Sequence, residues 1–471
     1  MILCSFVRPD QSGIVRDEGD VGCANFNSQG GLLGIMKIKT KLHVTLVTGA
    51  VLAAACGSSS KTSTATTVAS SATSAAAGSA AGPAPADITV GTLYAGTGSF
   101  AVSSLPEYEG IKFWVHEVNA SGGVYVKAYN KKIPIKLVAY NDQSSTSTAG
   151  TLYTQLITQD HVNILLSDFG SVLTAPAVTI AKENKQLLFD VSGTGTTFFQ
   201  ASNNDPYIVL TSLPVSSIWP QPAVAFMKSV GIKNVAIVYG ANDFDQAQAD
   251  TYKQGLAADG INVSFFQSVP TATTSYTTLI QEVAAKKPDA FLELGYEAND
   301  IAFLKQLHSS GSKFPYVFTV FPGQNHSQVE AAVGASGLAY TFTYGAPPAL
   351  VHNNPSVGLG LSNFTTAFES YASKTHINFE DIAGYNAGLV VQQSLANASS
   401  LSQTDLRAGV LSQSGKFSTL IGPFSMNAQG AETGFPLPVA QLLPASSGSA
   451  TKVTIVWPKS KATGTAVYPA P

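Results

Sequence analysis

Residues 133–184 decide the fold of this chain, because they alternate twice between a strand pattern and a helix pattern: "IPIKLVAYNDQSSTSTAGTLYTQLITQDHVNILLSDFGSVLTAPAVTIAKEN". The apolar run "IPIKLVAYND" is followed by the helical pattern "TAGTLYTQLITQD", and "VNILLSD" is followed by "VLTAPAVTIAKEN". Strands that alternate with helices predict a parallel sheet covered by helices on both faces. The stretch therefore predicts an α/β fold.

The same alternation continues on both sides of this stretch. Before it, the strand "ADITVGTLYAG" leads into the helix "LPEYEGIKFWVHEVNASGG", which should end at Gly122 and Gly123. After it, a second series runs from the strand "NVAIVYG" to the strand "PYVFTVF". Two series of similar length predict two lobes. The remaining C-terminal part is too short for a third lobe, so we expect the chain to cross between the lobes more than once.

Composition limits what the protein can do. The chain has 471 residues, 45% of them apolar, which is enough for the cores of two domains. A net charge of -3 leaves no general basic surface, which argues against nucleic acid as a partner. The runs "GTGS" at 96–99 and "GTGT" at 193–196 lack the helix and carboxylate of a dinucleotide fingerprint, and the histidines show no metal spacing. We therefore predict neither an enzyme nor a bound cofactor or metal.

Residues 36–55 have the layout of a secretory signal peptide. Met36 is followed closely by three lysines and then by a short apolar run that ends in small alanines. We interpret residues 1–35, which precede this signal, as an upstream extension from a misplaced start codon. A genuine disordered leader is the alternative.

Cys56 stands where a lipoprotein signal carries its lipidated cysteine, directly after the small residues. The resemblance to a lipobox is imperfect, because Ala53 takes the place that usually holds Leu; ordinary cleavage nearby is the alternative. All three cysteines lie within the first 56 residues, so no disulfide framework is expected in the folded part. Residues 56–86 are almost purely small and polar and are predicted to be a flexible tether. We thus expect an extracytoplasmic protein that is anchored to a membrane by lipid.

From about residue 88 to 457 the chain resembles the branched-chain amino-acid (Leu/Ile/Val) binding proteins. These belong to the periplasmic-binding-protein type I family of ABC transporter substrate-binding lipoproteins. The resemblance rests on the order and spacing of several stretches, which are "EGIKFWVHEVNASGGV", "YNDQSSTSTAGTLYTQLI", "SVLTAPAVTIAKENKQLLFDVSGT", "SYTTLIQEVAAKKPDAFLELGY" and "LIGPFSMNAQG".

The resemblance implies a fold of two Rossmann-like lobes with parallel sheets, joined by three hinge crossovers and closing on a ligand held between them. The hinges are expected near residues 211–217, 341–348 and 420–426. The implied lobes are residues 87–212 plus 345–420 for lobe 1, and residues 213–344 plus 421–460 for lobe 2.

Candidate ligand-binding residues in the first lobe follow two successive strands. Ser171 comes where the helix after "VNILLSD" begins, and free backbone N–H groups at a helix start favour an anion. Ser192, Gly193 and Thr194 form a turn after the next strand. The resemblance implies that both places hold the ligand's carboxylate. The alternatives are that Ser171 is only a first-turn residue and that the turn is an ordinary one.

Candidate residues in the second lobe are aromatic. Phe244 and Tyr296 stand where the family has pocket aromatics, although Asp245 replaces the glycine that commonly follows the first of them. Trp219, just past the first hinge, is a further candidate. Each of these side chains could instead be ordinary packing.

The stretch "YVFTVFPGQNH" departs from the family. The resemblance implies an acid near Phe321 that pairs with the ammonium of an amino-acid ligand, but there is none. An unpaired buried ammonium is costly. We therefore expect a carboxylate, an amide or an aromatic solute rather than a simple α-amino acid, unless Glu297 or Asp243 supplies the missing charge.

The resemblance also implies the partners. A monomeric binding protein of this kind would capture a small polar or amino-acid-like molecule by hinge closure and deliver it to an ABC permease. A ligand-sensing subunit of a membrane receptor, with the same fold, is the alternative.

Overall fold

The computed structural model describes residues 82–352, 354–434, 436–446 and 448–471, and three short strands nearer the N-terminus. The chain divides into two compact units, residues 1–76 and 77–471. Cys56, most of the predicted signal peptide and most of the predicted tether lie outside the described residues.

The N-terminal unit contains a small antiparallel sheet in the order β1-β2-β3. Its strands are β1 (Ile2–Cys4), β2 (Gly22–Phe26) and β3 (Leu32–Lys37).

The second unit begins with a five-stranded sheet in the order β10-β9-β8-β4-β7, in which every neighbouring pair is parallel. The strands of this part, including the small hairpin β5-β6, are β4 (Ile88–Tyr94), β5 (Val124–Val126), β6 (Lys131–Ile133), β7 (Ile135–Asn141), β8 (Ile164–Leu166), β9 (Leu188–Asp190) and β10 (Ile208–Leu210). The helices between them are α1 (Ala101–Ala120), α2 (Thr146–Thr158) and α3 (Gly170–Asn184). The α/β fold with parallel strands predicted from residues 133–184 is confirmed.

A second sheet has seven strands in the order β12-β11-β13-β14-β15-β16-β17. Its strands are β11 (Asn234–Gly240), β12 (Asn262–Val269), β13 (Ala290–Leu294), β14 (Tyr316–Phe318), β15 (Phe342–Tyr344), β16 (Val439–Pro444) and β17 (Thr451–Trp457). The helices of this part are α4 (Gln221–Ser229), α5 (Asp243–Ala258), α6 (Thr277–Lys286), α7 (Glu297–Ser310), α8 (His326–Val333) and α9 (Ala335–Leu338).

The last two strands of the second sheet differ from the expected parallel arrangement. β15 pairs with β16, and β16 with β17, in antiparallel fashion. The short link at 445–450 is the reason for the β16-β17 pair, since parallel neighbours need a crossover of about a dozen residues or more.

Between β15 and β16 the chain returns to the first sheet. There it forms α10 (Leu361–Ala372), α11 (Phe379–Asn397) and α12 (Gln403–Leu411). α11 packs closely on α1 because glycines face that helix. A Cβ added to Gly384 would lie 2.0 Å from the carbonyl oxygen of Glu107, and one added to Gly388 would lie 2.0 Å from the ring of Trp114. Only glycine permits this approach.

The chain thus passes between the two sheets three times: after β10, after β15 and before β16. Residues 342–344 of the second expected hinge belong to β15, so the pass itself begins at Gly345. The lobe boundaries drawn from the resemblance stay a prediction.

Candidate ligand-binding cleft

The first wall of the cleft is the start of α3. Gly170 has a φ of 72°, which a glycine adopts without strain, and this turns the chain from β8 into the helix. The Ser171 hydroxyl accepts a hydrogen bond from the N–H of Gly195 at 2.8 Å. The N–H of Gly170 donates to Ser192 Oγ at 3.1 Å. These two bonds bring the first turn of α3 together with the predicted turn that follows β9.

That turn is organised by Asp190. Its Oδ1 accepts hydrogen bonds from the N–H of Gly193 at 2.7 Å and from Ser167 Oγ at 3.2 Å. Burial raises the pKa of Asp190 from 3.8 to about 7, although these bonds oppose the rise. The hydroxyl of Thr194 is buried and has no hydrogen-bond partner in the part of the chain that the structure describes. It is therefore free to bind a ligand.

The opposite wall comes from the start of α5. Asn242 caps this helix by accepting the N–H of Asp245 at 3.1 Å, and its Nδ2 donates to Asp245 Oδ2 at 2.6 Å. Asp245, which replaces the expected glycine, is thus a buried part of the cap and does not line the space between the walls. Phe244 lies between Trp219 and Tyr296, with ring centroids 5.3 Å from each.

Tyr296 precedes α7 and crosses the cleft. Its ring centroid lies 5.0 Å from that of Phe100 and 6.0 Å from that of Phe321. Burial raises the pKa of the Tyr296 hydroxyl, and the N–H groups of Ser171 and Val172 oppose that rise. A Cβ added to Gly170 would lie 3.2 Å from the Tyr296 hydroxyl oxygen, so the hydroxyl lies against the first turn of α3, where the resemblance puts the ligand's carboxylate. The hydroxyl has no hydrogen-bond partner among the described residues.

The space left between these walls, here called the cleft cavity, has a volume of about 20 Å³. This is room for about one water molecule. Gly170, Ser192 and Thr194 line it from the first wall. The aromatic side chains that line it are Phe169, Trp219, Phe244, Tyr296, Phe321 and Phe379. The conformation is closed, and the protein's own rings fill the cleft.

Two acids hold the closed conformation across the cleft. Glu297 Oε2 accepts a hydrogen bond from Ser103 Oγ of α1 at 2.9 Å. Asp243 Oδ2 accepts the N–H of Thr197 at 3.0 Å and its hydroxyl at 2.6 Å. Neither acid lines the cleft cavity. Asp243 lies at its edge, and Glu297 is only 1% exposed and is also bonded to Asn325 Nδ2.

Phe321 occupies the region in which the family has its acid. The N–H of Phe321 donates to Asp300 Oδ2 at 2.6 Å, which fixes the backbone. Its ring lies 6.2 Å from the rings of Phe169 and Phe244. An aromatic surface therefore lies where an ammonium partner was expected.

Of the residues predicted from the sequence, Ser192, Thr194, Phe244 and Tyr296 line the cleft cavity. Ser171, Gly193 and Glu297 lie behind this lining, bonded to Gly195, Asp190 and Ser103 respectively. Sequence reasoning missed Phe169 and Phe379 as lining residues. Phe169 could have been found, because it directly precedes the helix start in "SDFGS". Phe379 begins α11, far along the chain from every other lining residue, and no local signal points to it.

Buried carboxyl groups surround the cleft. Nine of them are at most 2% exposed and have an oxygen without a partner among the described residues: Glu107, Asp142, Asp168, Asp190, Asp245, Glu293, Glu297, Asp300 and Glu380. None pairs with a described Lys, Arg or His. Burial raises the pKa of every one. A protonated carboxyl loses less hydration on burial than a carboxylate, so the interior favours the neutral form of these groups.

Metal ligands do not converge anywhere in the described ranges, where no three His, Cys, Asp or Glu side chains are placed to hold an ion. Within those ranges there is also no helix of the length and apolarity needed to cross a membrane.

A sequence model of the family described as periplasmic binding protein matches residues 87–448 of the chain. The Leu/Ile/Val-binding protein homolog 7 of Brucella melitensis is 22% identical over 345 residues, which are 69% of this chain and 84% of the relative.

Two solved structures are similar in fold. A solute binding protein of an ABC transporter from R. palustris, in complex with benzoate, has a TM-score of 0.65 at 18% identity and covers 78% of this chain and 95% of its own. A branched-chain amino acid transporter substrate binding protein from Streptococcus pneumoniae, in complex with isoleucine, has a TM-score of 0.64 at 17% identity. It covers 78% of this chain and 99% of its own.

Proposed function

The chain belongs to the periplasmic binding protein family, and from this premise we propose that it captures a small solute in its cleft and delivers it to an ABC importer. Its relatives are solute-binding proteins, not enzymes. The observation that carries the proposal is that the start of α3 and the Thr194 hydroxyl, which has no partner among the described residues, face a wall of aromatic rings across a closed cleft.

The ligand we propose is a small aromatic carboxylate. Backbone N–H groups at the start of α3 and the hydroxyls of Ser192 and Thr194 suit a carboxylate. The aromatic side chains suit a planar apolar body. No acid lines the cleft cavity, so an α-ammonium group would be buried without a partner. The benzoate complex of the R. palustris neighbour supports the same ligand class.

Binding then requires the lobes to open. In the closed conformation the Tyr296 hydroxyl lies against the first turn of α3, and the cleft cavity of about 20 Å³ excludes a ring-sized molecule. We expect the ligand to displace the Tyr296 ring from the helix start and to bind the N–H groups there. If the ligand binds only the conformation in which Tyr296 is displaced, binding raises the population of that conformation.

Thermal melting tests the ligand class. Benzoate should raise the melting temperature of the purified protein, and leucine should not, because a bound ligand stabilises by about 4 kcal/mol at a thousandfold excess over its Kd. Ser171→Ala combined with Thr194→Ala should abolish the benzoate shift. Thr179→Ala, an exposed threonine later in the same helix, is the matched control. If leucine stabilised the protein and benzoate did not, the proposed ligand class would be wrong. If no carboxylate and no amino acid stabilised it, the proposal of solute binding would be wrong.

Export and anchoring form the second half of the proposal. We propose that the segment before Cys56 directs export and that Cys56 carries the lipid. Cys56→Ser should move the protein from the membrane fraction to the soluble fraction, whereas Ser60→Ala, in the predicted tether, should leave it in place. A Cys56→Ser protein that still sediments with membranes would contradict the anchor.

A further inference from the structure

A second cavity lies where the chain passes between the two sheets. Its volume is about 260 Å³, against about 20 Å³ for the cleft cavity. We call it the hinge cavity, because all three passes line it, through residues 211–214, 345–352 and 419–438. None of the predicted ligand-binding residues lines it, and Ser212 and Leu213 line both cavities.

The walls of the hinge cavity are mostly apolar. Four of the lining residues are prolines, which have no backbone N–H: Pro214, Pro347, Pro423 and Pro438. Leu437 and Phe424 add apolar side chains. A molecule in this space would therefore bury an apolar body.

Two acceptors in the wall lack a partner. Asn386 of α11, which is 3% exposed, donates through Nδ2 to the carbonyl oxygen of Thr211 at 2.5 Å. This leaves its Oδ1 buried and unpartnered within the described ranges. The hydroxyl of Ser212, which is 4% exposed, is also unpartnered there. Buried polar atoms are almost always paired in folded proteins, and leaving one unpaired is costly. These atoms are suited to a ligand that donates a hydrogen bond.

The charged groups at the hinge cavity favour an uncharged ligand. Glu432 lines it and is 4% exposed, and its two oxygens already accept the N–H groups of Ser425 and Gly434. Lys461 lines it from the C-terminal segment and is less buried than Glu432. An anion would gain no hydrogen bond from the Glu432 oxygens, which already accept two N–H groups, while a neutral donor can reach Asn386 Oδ1 without displacing Glu432 or Lys461.

We propose that the hinge cavity is a second binding site, for a neutral compact molecule with an apolar body and one O–H or N–H donor, such as a phenol, an alcohol or a primary amide. The hydrogen bond goes from this donor to Asn386 Oδ1, with Ser212 Oγ beside it. The volume is sufficient, since an engineered apolar cavity of about 150 Å³ holds benzene.

Such a ligand would act on the lobes as well as occupy space. It contacts all three passes, whose backbone changes when the lobes move. It therefore shifts the balance between open and closed forms to the extent that the two forms bind it with different affinity.

Fluorine NMR of three ring-sized probes tests the proposal on the whole chain: 4-fluorophenol, fluorobenzene and 4-fluorobenzoate. The phenol should bind about tenfold more tightly than fluorobenzene, because one net hydrogen bond is worth about that factor. Asn386→Leu should reduce the phenol's affinity to that of fluorobenzene. Thr419→Val, which removes a different hydroxyl from the same wall, should change the affinity for the phenol by less than about twofold.

Filling the hinge cavity gives the second arm of the test. Val351→Phe should abolish binding of both the phenol and fluorobenzene, and Val333→Phe, a partly buried valine of α8, should not. Leu350→Trp fills the same space if Val351→Phe does not fold. The double variant Ser171→Ala, Thr194→Ala should keep phenol binding, since the cleft is not involved.

Three results would overturn the proposal. The first is equal affinity for the phenol and fluorobenzene. The second is phenol binding that survives filling of the hinge cavity, or that is lost in the Ser171→Ala, Thr194→Ala variant. The third is 4-fluorobenzoate binding to that double variant as tightly as the phenol does.

Discussion

The cleft and the hinge cavity are two spaces between the same two sheets, and they differ in how far they have closed. The cleft is walled by side chains that rotate and interlock, and only about 20 Å³ remains. The hinge cavity is walled largely by backbone and proline rings, and about 260 Å³ remains. Side chains on opposite walls can close a gap, whereas passes that are held at one end by a strand and at the other by a helix cannot. The closed conformation therefore leaves almost no space at the predicted ligand site, while the hinge cavity keeps its volume.

The largest expected effect is on the side of the cleft. Tyr296→Ala removes a buried ring that contacts four other aromatic side chains, and it should lower the free energy of unfolding by about 3–5 kcal/mol. Tyr125→Ala, at a tyrosine that is 41% exposed, should change it by less than about 0.5 kcal/mol. Urea unfolding measures both. A small effect of Tyr296→Ala would mean that the cleft is not packed as tightly as the comparison requires.

The two regions should respond alike to pH. Burial raises the pKa of Glu297 at the cleft and of Glu432 at the hinge cavity from 4.5 to about 7. Below about pH 4.5 both carboxyls are protonated whether the protein is folded or unfolded. Between about pH 4.5 and 7 the unfolded chain releases the proton and the folded protein keeps it, so stability falls as pH rises. Each group lowers the free energy of unfolding by at most about 3 kcal/mol.

Melting temperatures between pH 4 and 8 check this prediction. Glu297→Gln and Glu432→Gln should each make the decline shallower, and Glu282→Gln, at an exposed residue of α6, should not change it. A melting temperature that rises from pH 4.5 to 7 would contradict the direction. If only one of the two variants made the decline shallower, only that region would hold a buried carboxyl whose pKa is raised.

The smallest expected effect is at the hinge. Leu437→Ala should lower the free energy of unfolding by about 2 kcal/mol, the low end for a buried leucine, because one side of this side chain faces empty space. Leu442→Ala, at a fully buried leucine of β16 that lines neither cavity, is the matched control and should have the larger effect. Equal losses measured by urea unfolding would mean that the hinge cavity is as well packed as the core.

Much of the candidate site could be predicted because it depends on neighbouring strands. β8 and β9 pair in parallel, so the residues that follow them, including Ser171 and Thr194, meet at one edge of the sheet. The contribution of Phe379 could not be predicted, since α11 is placed by packing against α1 and by the hydrogen bond from the N–H of Phe379 to the carbonyl oxygen of Gln324, both of which join segments far apart in the chain. The absence of an acid near Phe321 was visible in the sequence, but its replacement by a ring that contacts Phe169 was not.

By itself, the sequence determined the alternation of strands and helices, the parallel pairing that follows from it, and the polar turns at the strand ends. These are consequences of local periodicity and turn chemistry, which neighbouring residues decide. Only the tertiary structure decided that the cleft is filled by its own rings, that Tyr296 reaches the start of α3, and that an open cavity with an unpartnered Asn386 oxygen lies among the three passes. These features depend on the distance between segments far apart in the chain, which the packing of whole helices and sheets sets.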